Sequence, residues 1–141
     1  MPDNTLPSNL SYGTVTGRFL IAYADGIDLD DYPDGIAASG SIFFTSSPNS
    51  IKNATATPAP VTIIPTVIEC SLNNEGYLTG PDGTAGVRLL ATDDTDGSPT
   101  DWYWTVSYQL FDPNGVPTRR IPTHTIQVPS GATVDLTING A

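Results

Sequence analysis

The sequence predicts an all-β fold, either an antiparallel β-sandwich or a small barrel, built from about eight strands. Residues 102–111 alternate apolar and polar side chains, which is the pattern of a strand with one buried face. Clusters of Asp, Gly, Pro and Asn separate this run from other β-branched and aromatic runs. The 13 glycines and 13 prolines disfavour long helices.

Length and polarity predict one folded domain with a short arm before it. A chain of 141 residues is large enough to bury a single core. Residues 1–12 are polar and contain Pro2 and Pro7, so we expect an extended N-terminal arm over residues 1–12. A single β-sandwich domain is then expected over residues 13–141.

The first half of the chain contains four of the predicted strands. Residues 14–24 and 39–46 are rich in β-branched and aromatic side chains, which favour strands. Residues 61–72 form a β-branched run in which Pro65 indicates an edge strand or a bulge. A short strand is expected at residues 76–78, before the turn sequence GPDGTAG.

The second half contains the other four predicted strands, at residues 87–91, 102–111, 118–128 and 133–138. The strand at 102–111 has the clearest pattern, and its alternation places one set of residues on a single face: Trp102, Trp104, Val106, Tyr108 and Leu110. The sequence DPNG after it fits a tight reverse turn. We therefore expect Trp104 and Val106 in the core.

The charge balance disfavours two classes of partner. Fifteen acidic and five basic residues give a formal net charge of −10. Five Lys and Arg residues are too few to follow a phosphate backbone, so nucleic acid is not an expected partner. Repulsion likewise disfavours an anionic membrane surface, and no apolar run approaches the roughly 20 residues that cross a bilayer. The single cysteine, Cys70, is interpreted as a small buried apolar residue.

Two acidic clusters are the only candidate metal sites in the sequence. Asp28, Asp30 and Asp31 in the loop DGIDLDDYPDG offer carboxylate oxygens of the kind that calcium prefers. Their spacing does not match the EF-hand pattern, so a solvated loop is the favoured interpretation and no cofactor is expected. The aspartates of residues 93–101 are interpreted as turn and capping residues.

No arrangement of residue types predicts an enzyme. His124 is the only histidine, and no Ser-His-Asp or Cys-His pattern is visible around it. The aromatic run at residues 102–104 suggests a sugar-stacking platform, but adjacent strand residues point to opposite faces, so core packing is favoured. Arg119 and Arg120 form the one basic pair, either as a solvated strand edge or as an ion-pair contact for an acidic neighbour.

Three segments, in order, resemble the β-domain of minor tail and fibre proteins of phages that infect actinobacteria. The first is GTVTGRFLIAYADG at residues 13–26, followed by ASGSIFFTSS. The second is ECSLNNEGYLTGPDG together with VRLLATDDTDGSPTDWYWTVSYQL. The third is HTIQVPSGATVDLT at residues 124–137. The resemblance covers residues 13–138.

The resemblance implies a non-enzymatic structural component of a phage virion, assembled in the host cytoplasm and placed most simply in the tail, near the fibre or tip. Implied partners are other virion proteins and further copies of the chain, since such fibre proteins are commonly trimers. A host-surface glycan is a further candidate partner. Many relatives continue into a shaft or receptor-binding tip, so a capsid decoration or accessory head protein stays open as an alternative. The residues alone leave a second alternative, a free-standing carbohydrate- or calcium-binding β-module.

Overall fold

The computed structural model describes residues 9–23, 34–56 and 59–136, and within these residues it contains twelve strands and no helix. The strands are β1 (Tyr12–Thr16), β2 (Leu20–Tyr23), β3 (Asp34–Ala37), β4 (Ser39–Ser46), β5 (Ile51–Asn53), β6 (Val61–Ile63), β7 (Ile68–Leu72), β8 (Leu78–Thr79), β9 (Val87–Leu90), β10 (Trp104–Phe111), β11 (His124–Ile126) and β12 (Thr133–Asp135). The all-β class is confirmed, but the expected number of about eight strands was too low.

The additional strands have two origins. The predicted strands at 14–24 and 61–72 are each divided in two, the second one around Pro65, which has no N–H to give to a ladder. Two further strands, β3 and β5, lie in segments that were expected to be loops. Among the strands, β3 pairs only with β2 and β5 pairs only with β6, and Lys52 of β5 forms one further isolated bridge with Ser98.

Two larger sheets carry the fold. The five-stranded sheet has the order β11-β10-β4-β7-β8, and the three-stranded sheet has the order β12-β1-β9. The long antiparallel pair β4–β10 is in register from Trp104 opposite Ser46 to Phe111 opposite Ser39. The pair β1–β12 departs from the expected antiparallel pattern, because these two strands run parallel.

The two sheets pack face to face as a sandwich around one apolar cluster. Phe44, Trp104 and Val106 of the larger sheet are fully buried, as is Val15 of the smaller sheet. The indole Nε1 of Trp104 donates a hydrogen bond of 3.1 Å to the carbonyl of Leu90, across the sandwich. This confirms the expectation that Trp104 and Val106 lie in the core on the same face.

The folded domain begins before residue 13. Leu10 is buried in the core, and the side-chain amides of Asn9 and Asn53 donate to each other's carbonyl oxygens at 3.2 and 2.7 Å. The backbone N–H of Ser11 donates to Asp94. Residues 9–12, which were expected in an extended arm, therefore belong to the domain, while residues 1–8 lie outside the described part of the chain.

A two-stranded ribbon, β2–β3, leaves the sandwich at a close backbone crossing. Phe19 N–H donates to the carbonyl of Gly76 at 2.9 Å, and Ala38 N–H donates to the carbonyl of Phe19 at 3.1 Å. Gly76 has φ +85°, and a Cβ there would collide with the Phe19 carbonyl oxygen. The crossing fixes the base of the ribbon, and β2 and β3 then pair with each other in their own two-stranded sheet.

Candidate binding groove

The acidic residues that the sequence singled out fall into two groups. Asp28, Asp30 and Asp31 lie outside the described residues, so the calcium hypothesis at that loop stays a prediction. Across residues 9–23, 34–56 and 59–136, no group of three or more His, Cys, Asp or Glu side chains is arranged to hold a metal ion.

The aspartates of residues 93–101 act on the backbone. The Asp94 carboxylate accepts hydrogen bonds from the N–H of Ser11 at 2.6 Å and of Asp96 at 2.9 Å. Asp93 accepts from both the N–H and the hydroxyl of Ser130, at 2.9 and 3.0 Å. The bond from Asp96 to Asp94 is the turn contact that was expected, whereas Asp93 binds a distant turn; the two carboxylates connect the loop to the N-terminal segment and to the turn before β12.

The aromatic run at residues 102–104 is divided between the core and the surface. Trp102 and Trp104 are 5% and 1% exposed, and their rings contact each other with centroids 5.2 Å apart. Tyr103 points the other way and is 44% exposed. Core packing was the favoured interpretation, and it is correct for both tryptophans, so no flat aromatic platform forms here.

His124 packs against an aromatic group, and Cys70 is buried in the core. The His124 ring stacks on Tyr108, and its Nε2 shares a 2.6 Å hydrogen bond with the Tyr108 hydroxyl. Phe19 meets the same tyrosine edge to face. Burial raises the pKa of Tyr108 to about 12. Burial, and to a lesser degree the charge of Glu69, raises the pKa of Cys70 to about 11, so its thiol stays neutral, as expected for a buried apolar residue.

A groove of about 640 Å³ lies beside this aromatic group, between the β2–β3 ribbon and the chain segment that follows β10. One wall is formed by residues 18–22 and the other by residues 117–119 and Ile121. Phe19, Ala38, Leu110 and Ile121 give it an apolar lining. A second, smaller groove of about 280 Å³ is lined by residues 108–111 and 117–121, and it shares Leu110, Pro117, Thr118, Arg119 and Ile121 with the first, whereas Arg120 lines only the second.

Basic residues are concentrated at these two grooves. Three of the five bases of the chain line them, namely Arg18, Arg119 and Arg120. Arg18 is held in place, because its Nε donates to the Glu75 carbonyl at 3.0 Å and its guanidinium lies over the Tyr77 ring. Arg119 and Arg120 are exposed, and their guanidinium groups have no hydrogen-bond or ion-pair partner among the described residues.

The ribbon beside the groove exposes apolar side chains on both of its faces. Ile21 pairs with Ile36 and Leu20 pairs with Ala37, so the two isoleucines share one face and Leu20 lies on the other. Leu20 is 53% exposed and Ile36 is 41% exposed. A second exposed apolar strip follows β6, where Ile64 and Val67 are 72% and 58% exposed.

Sequence reasoning identified only part of this site. Arg119 and Arg120 were singled out either as a solvated strand edge or as an ion-pair contact for an acidic neighbour; Arg119 lines both grooves and Arg120 lines the smaller one. The groove itself was missed because its walls come from residues 18–22 and 110–121, which no local pattern relates. The one available signal was Gly17, which interrupts the predicted strand at 14–24 next to an exposed basic residue, Arg18.

Comparisons with protein-family models, curated proteins and solved structures find no match to this chain. The described residues include no helix with the length and apolar character that a membrane span requires. The groove, its arginines and the exposed ribbon are the surface features of the described residues that offer a binding site.

Proposed function

We propose that this protein is a non-enzymatic structural component of a phage virion, placed in the tail near the fibre or tip. The observation that carries a structural role is the β2–β3 ribbon, which holds apolar side chains in water on both faces next to an apolar groove. Surfaces of this kind in soluble proteins mark contacts with other proteins. The virion and the tail placement rest on the sequence resemblance alone.

The segments that carry the resemblance form the framework of the domain. The first contains most of β1 and all of β2, and it is followed by β4. The second contains most of β7 and β10 and all of β8 and β9, and the third contains β11 and β12. Nearly all residues of both larger sheets therefore lie in these segments. A β-sheet framework that holds an exposed apolar ribbon is suited to assembly, because the framework keeps the docking surface in place.

The direct test is a mass-spectrometric inventory of purified particles after separation of heads and tails. Finding the chain in the tail fraction would support the proposal. Finding it in the head fraction would replace the tail placement by capsid decoration. Absence from intact particles, in a preparation where other minor tail proteins are detected, would contradict a virion role.

The alternative of a free-standing ligand-binding module has its own test. Calorimetric titration of the purified chain with calcium, and screening on a glycan array, would detect saturable binding. The proposed virion role predicts no saturable calcium binding in this titration. Saturable calcium binding that disappears in an Asp28→Asn, Asp30→Asn, Asp31→Asn variant would favour the module over the virion component.

A further inference from the structure

We propose that the open edge of β2 and the groove beside it bind an extended, acidic peptide segment of a partner protein, which adds to the ribbon as a third strand. This inference deepens the proposed structural role, on which it rests, by naming the kind of partner and the way in which it binds. Four features support it: the position of the groove, the free backbone groups of β2, the residues of that strand, and the charge of the groove.

The groove of about 640 Å³ runs along the edge of β2 and not over one of its faces. Five consecutive residues, 18–22, line it, although successive side chains of a strand point to opposite faces. From β3 and the residue that follows it, only Ala38 takes part in the lining. A cavity that meets successive residues of one strand, but almost none of its partner, lies beside that strand on the side away from the partner.

The backbone groups of β2 on this side have no partner strand. Ala38 N–H donates to the carbonyl of Phe19, which lies opposite it at the start of the β2–β3 register. Because bonded and non-bonded positions alternate in an antiparallel pair, Ile21 bonds to β3 while the N–H and C=O of Leu20 and Ala22 point away from it. Among the described residues β2 pairs with no strand except β3. Leu20 and Ala22 therefore each offer one donor and one acceptor to a strand that lies in the groove.

Strand β2 lacks the features that protect an edge strand from pairing with other chains. Its four residues, LIAY, include no charged residue and no proline. The edge strands of the two larger sheets differ, since β9 and β12 contain Arg88 and Asp135, and β8 and β11 have only two and three residues. An unprotected apolar edge beside an apolar groove is a template for strand addition.

The size of the groove fits a short extended peptide. A strand takes up roughly 160 Å³ per residue, from a rise of about 3.3 Å, a strand spacing of about 4.8 Å and a layer thickness of about 10 Å. The groove of about 640 Å³ therefore holds about four residues, which is the length of β2. Phe19, Leu110 and Ile121 give the bound segment an apolar surface for its inward-pointing side chains.

The charges of the groove favour an acidic peptide. Its lining contains two bases, Arg18 and Arg119, and one acid, Asp112. The Asp112 carboxylate already accepts hydrogen bonds from the N–H groups of Asn114 and Val116, at 2.9 Å each. The Arg119 guanidinium is exposed and has no partner within the described part of the chain. A carboxylate of the bound peptide pairs with Arg119 at this locally basic site of a chain whose net charge is −10.

Selection from a displayed library of random short peptides, with the purified chain immobilised, tests the proposal. We expect the enriched peptides to share an acidic residue within a run of β-branched or aromatic residues. The same selection on Ala22→Pro is the control, because proline removes the N–H that faces the groove and no bond to β3. If the wild type enriches no peptides beyond those that Ala22→Pro enriches, the proposal is overturned.

Fluorescence anisotropy with the most enriched peptide separates the backbone contribution from the charge contribution. We expect Ala22→Pro to weaken binding by about tenfold or more, and Ala22→Val, which keeps the N–H, to stay within about twofold of the wild type. Arg119→Glu should weaken binding by about tenfold. Arg120→Glu is its matched control and should weaken binding less, because Arg120 is exposed but lines only the smaller groove. Equal affinities of Ala22→Pro and Ala22→Val would contradict strand addition.

Amide hydrogen exchange of the wild type, resolved by residue with NMR, distinguishes an added strand from a ligand that side chains alone hold. With saturating peptide, the N–H groups of Leu20 and Ala22 should exchange at least about tenfold more slowly than in the free chain. Unchanged exchange at both amides would overturn the added strand even if the peptide binds. Thermal melts followed by circular dichroism would show that each variant keeps its fold.

These outcomes are separate from those for the proposed function. A chain that is present in purified tails but selects no peptide would overturn only this inference. A peptide-binding chain that is absent from intact particles would overturn only the virion role.

Discussion

The β4–β10 pair and the β2–β3 ribbon are both antiparallel strand pairs, but they are stabilised in opposite ways. The first is the centre of the sandwich, where Phe44, Trp104 and Val106 are each at most 1% exposed. The second carries apolar side chains of similar type, yet Leu20 and Ile36 remain 53% and 41% exposed. The same residue chemistry thus gives a core in one place and an exposed apolar surface in the other, and what differs is how far other parts of the chain cover it.

Because Trp104 is fully buried between the sheets, we expect Trp104→Ala to lose more stability than the other substitutions considered below. The change leaves a cavity between the sheets and removes the hydrogen bond to Leu90, so we expect a cost of about 3–5 kcal/mol in the free energy of unfolding. Tyr103→Ala, one residue away but 44% exposed, should cost far less. Urea unfolding of the two variants measures the difference, and equal losses would show that the neighbouring side chains do not divide between core and surface.

Substitutions at Gly40 and Gly115 separate the cost of backbone strain from the cost of a steric collision in the β4–β10 pair. Gly40, in β4, has φ +123°, and a Cβ there would collide with the carbonyl oxygen of Gln109. We expect Gly40→Ala to cost about 1–3 kcal/mol from strain and more from the collision. Gly115→Ala has φ +78° but open space around its Cβ, so it should show the strain alone. If Gly115→Ala is as unstable as Gly40→Ala, the collision with the Gln109 carbonyl oxygen does not contribute to the loss of stability.

The buried titrating groups predict a loss of stability at alkaline pH. Burial raises the pKa of Cys70 from 9.0 to about 11 and that of Tyr108 from 10.0 to about 12. Because the neutral forms are favoured in the folded state, their contribution is fully present below pH 9 and is lost as the pH rises through 11 and then 12. Urea midpoints should therefore fall steadily above pH 9.

Two variants assign this pH dependence to residues. Cys70→Ala should flatten the decline between pH 9 and 11, and Tyr108→Phe should flatten it between pH 10 and 12. Ellman's reagent should also react with Cys70 only after unfolding, because the thiol is 1% exposed. Rapid labelling of the folded protein would contradict the burial of Cys70.

The smallest effect is expected on the ribbon. Leu20→Ser replaces an apolar side chain that is 53% exposed, so monomer stability should change by less than about 0.5 kcal/mol. The urea midpoint at low protein concentration measures this. A loss of the size expected for a core residue would show that the ribbon is covered within its own chain, and it would remove the contrast between the two strand pairs.

The parts of the fold that follow local rules were predictable from the sequence. Strand β4 has the predicted bounds, Ser39–Ser46, and β10 begins two residues inside the predicted run, because alternation and turn residues mark both. The parallel pairing of β1 with β12 was not predictable, since it joins segments that are far apart in the chain. The break after β1 was missed because Arg18 and Phe19 continue the apolar and polar pattern across it.

Part of the candidate site was likewise predictable from the sequence, and part of it was not. The basic pair Arg119 and Arg120 was visible in the sequence as an exception in an acidic chain. The groove they line depends on where β2 leaves the sandwich, and this is fixed by a backbone crossing between Phe19 and Gly76. A contact between such distant segments has no periodic signal in the residues that make it.

The parallel pairing of β1 with β12 cannot form until nearly the whole chain has been synthesised. Thr14 and Thr133 are partners, so after Thr14 a ribosome must add 119 residues, Thr133 included, before the pairing can form. At about 5–20 residues per second, this takes roughly 6–24 seconds. During that interval β1 has an open edge, and a nascent chain on a neighbouring ribosome of the same message carries an identical strand. The pairing with β12 therefore decides when this edge of β1 is closed to other strands.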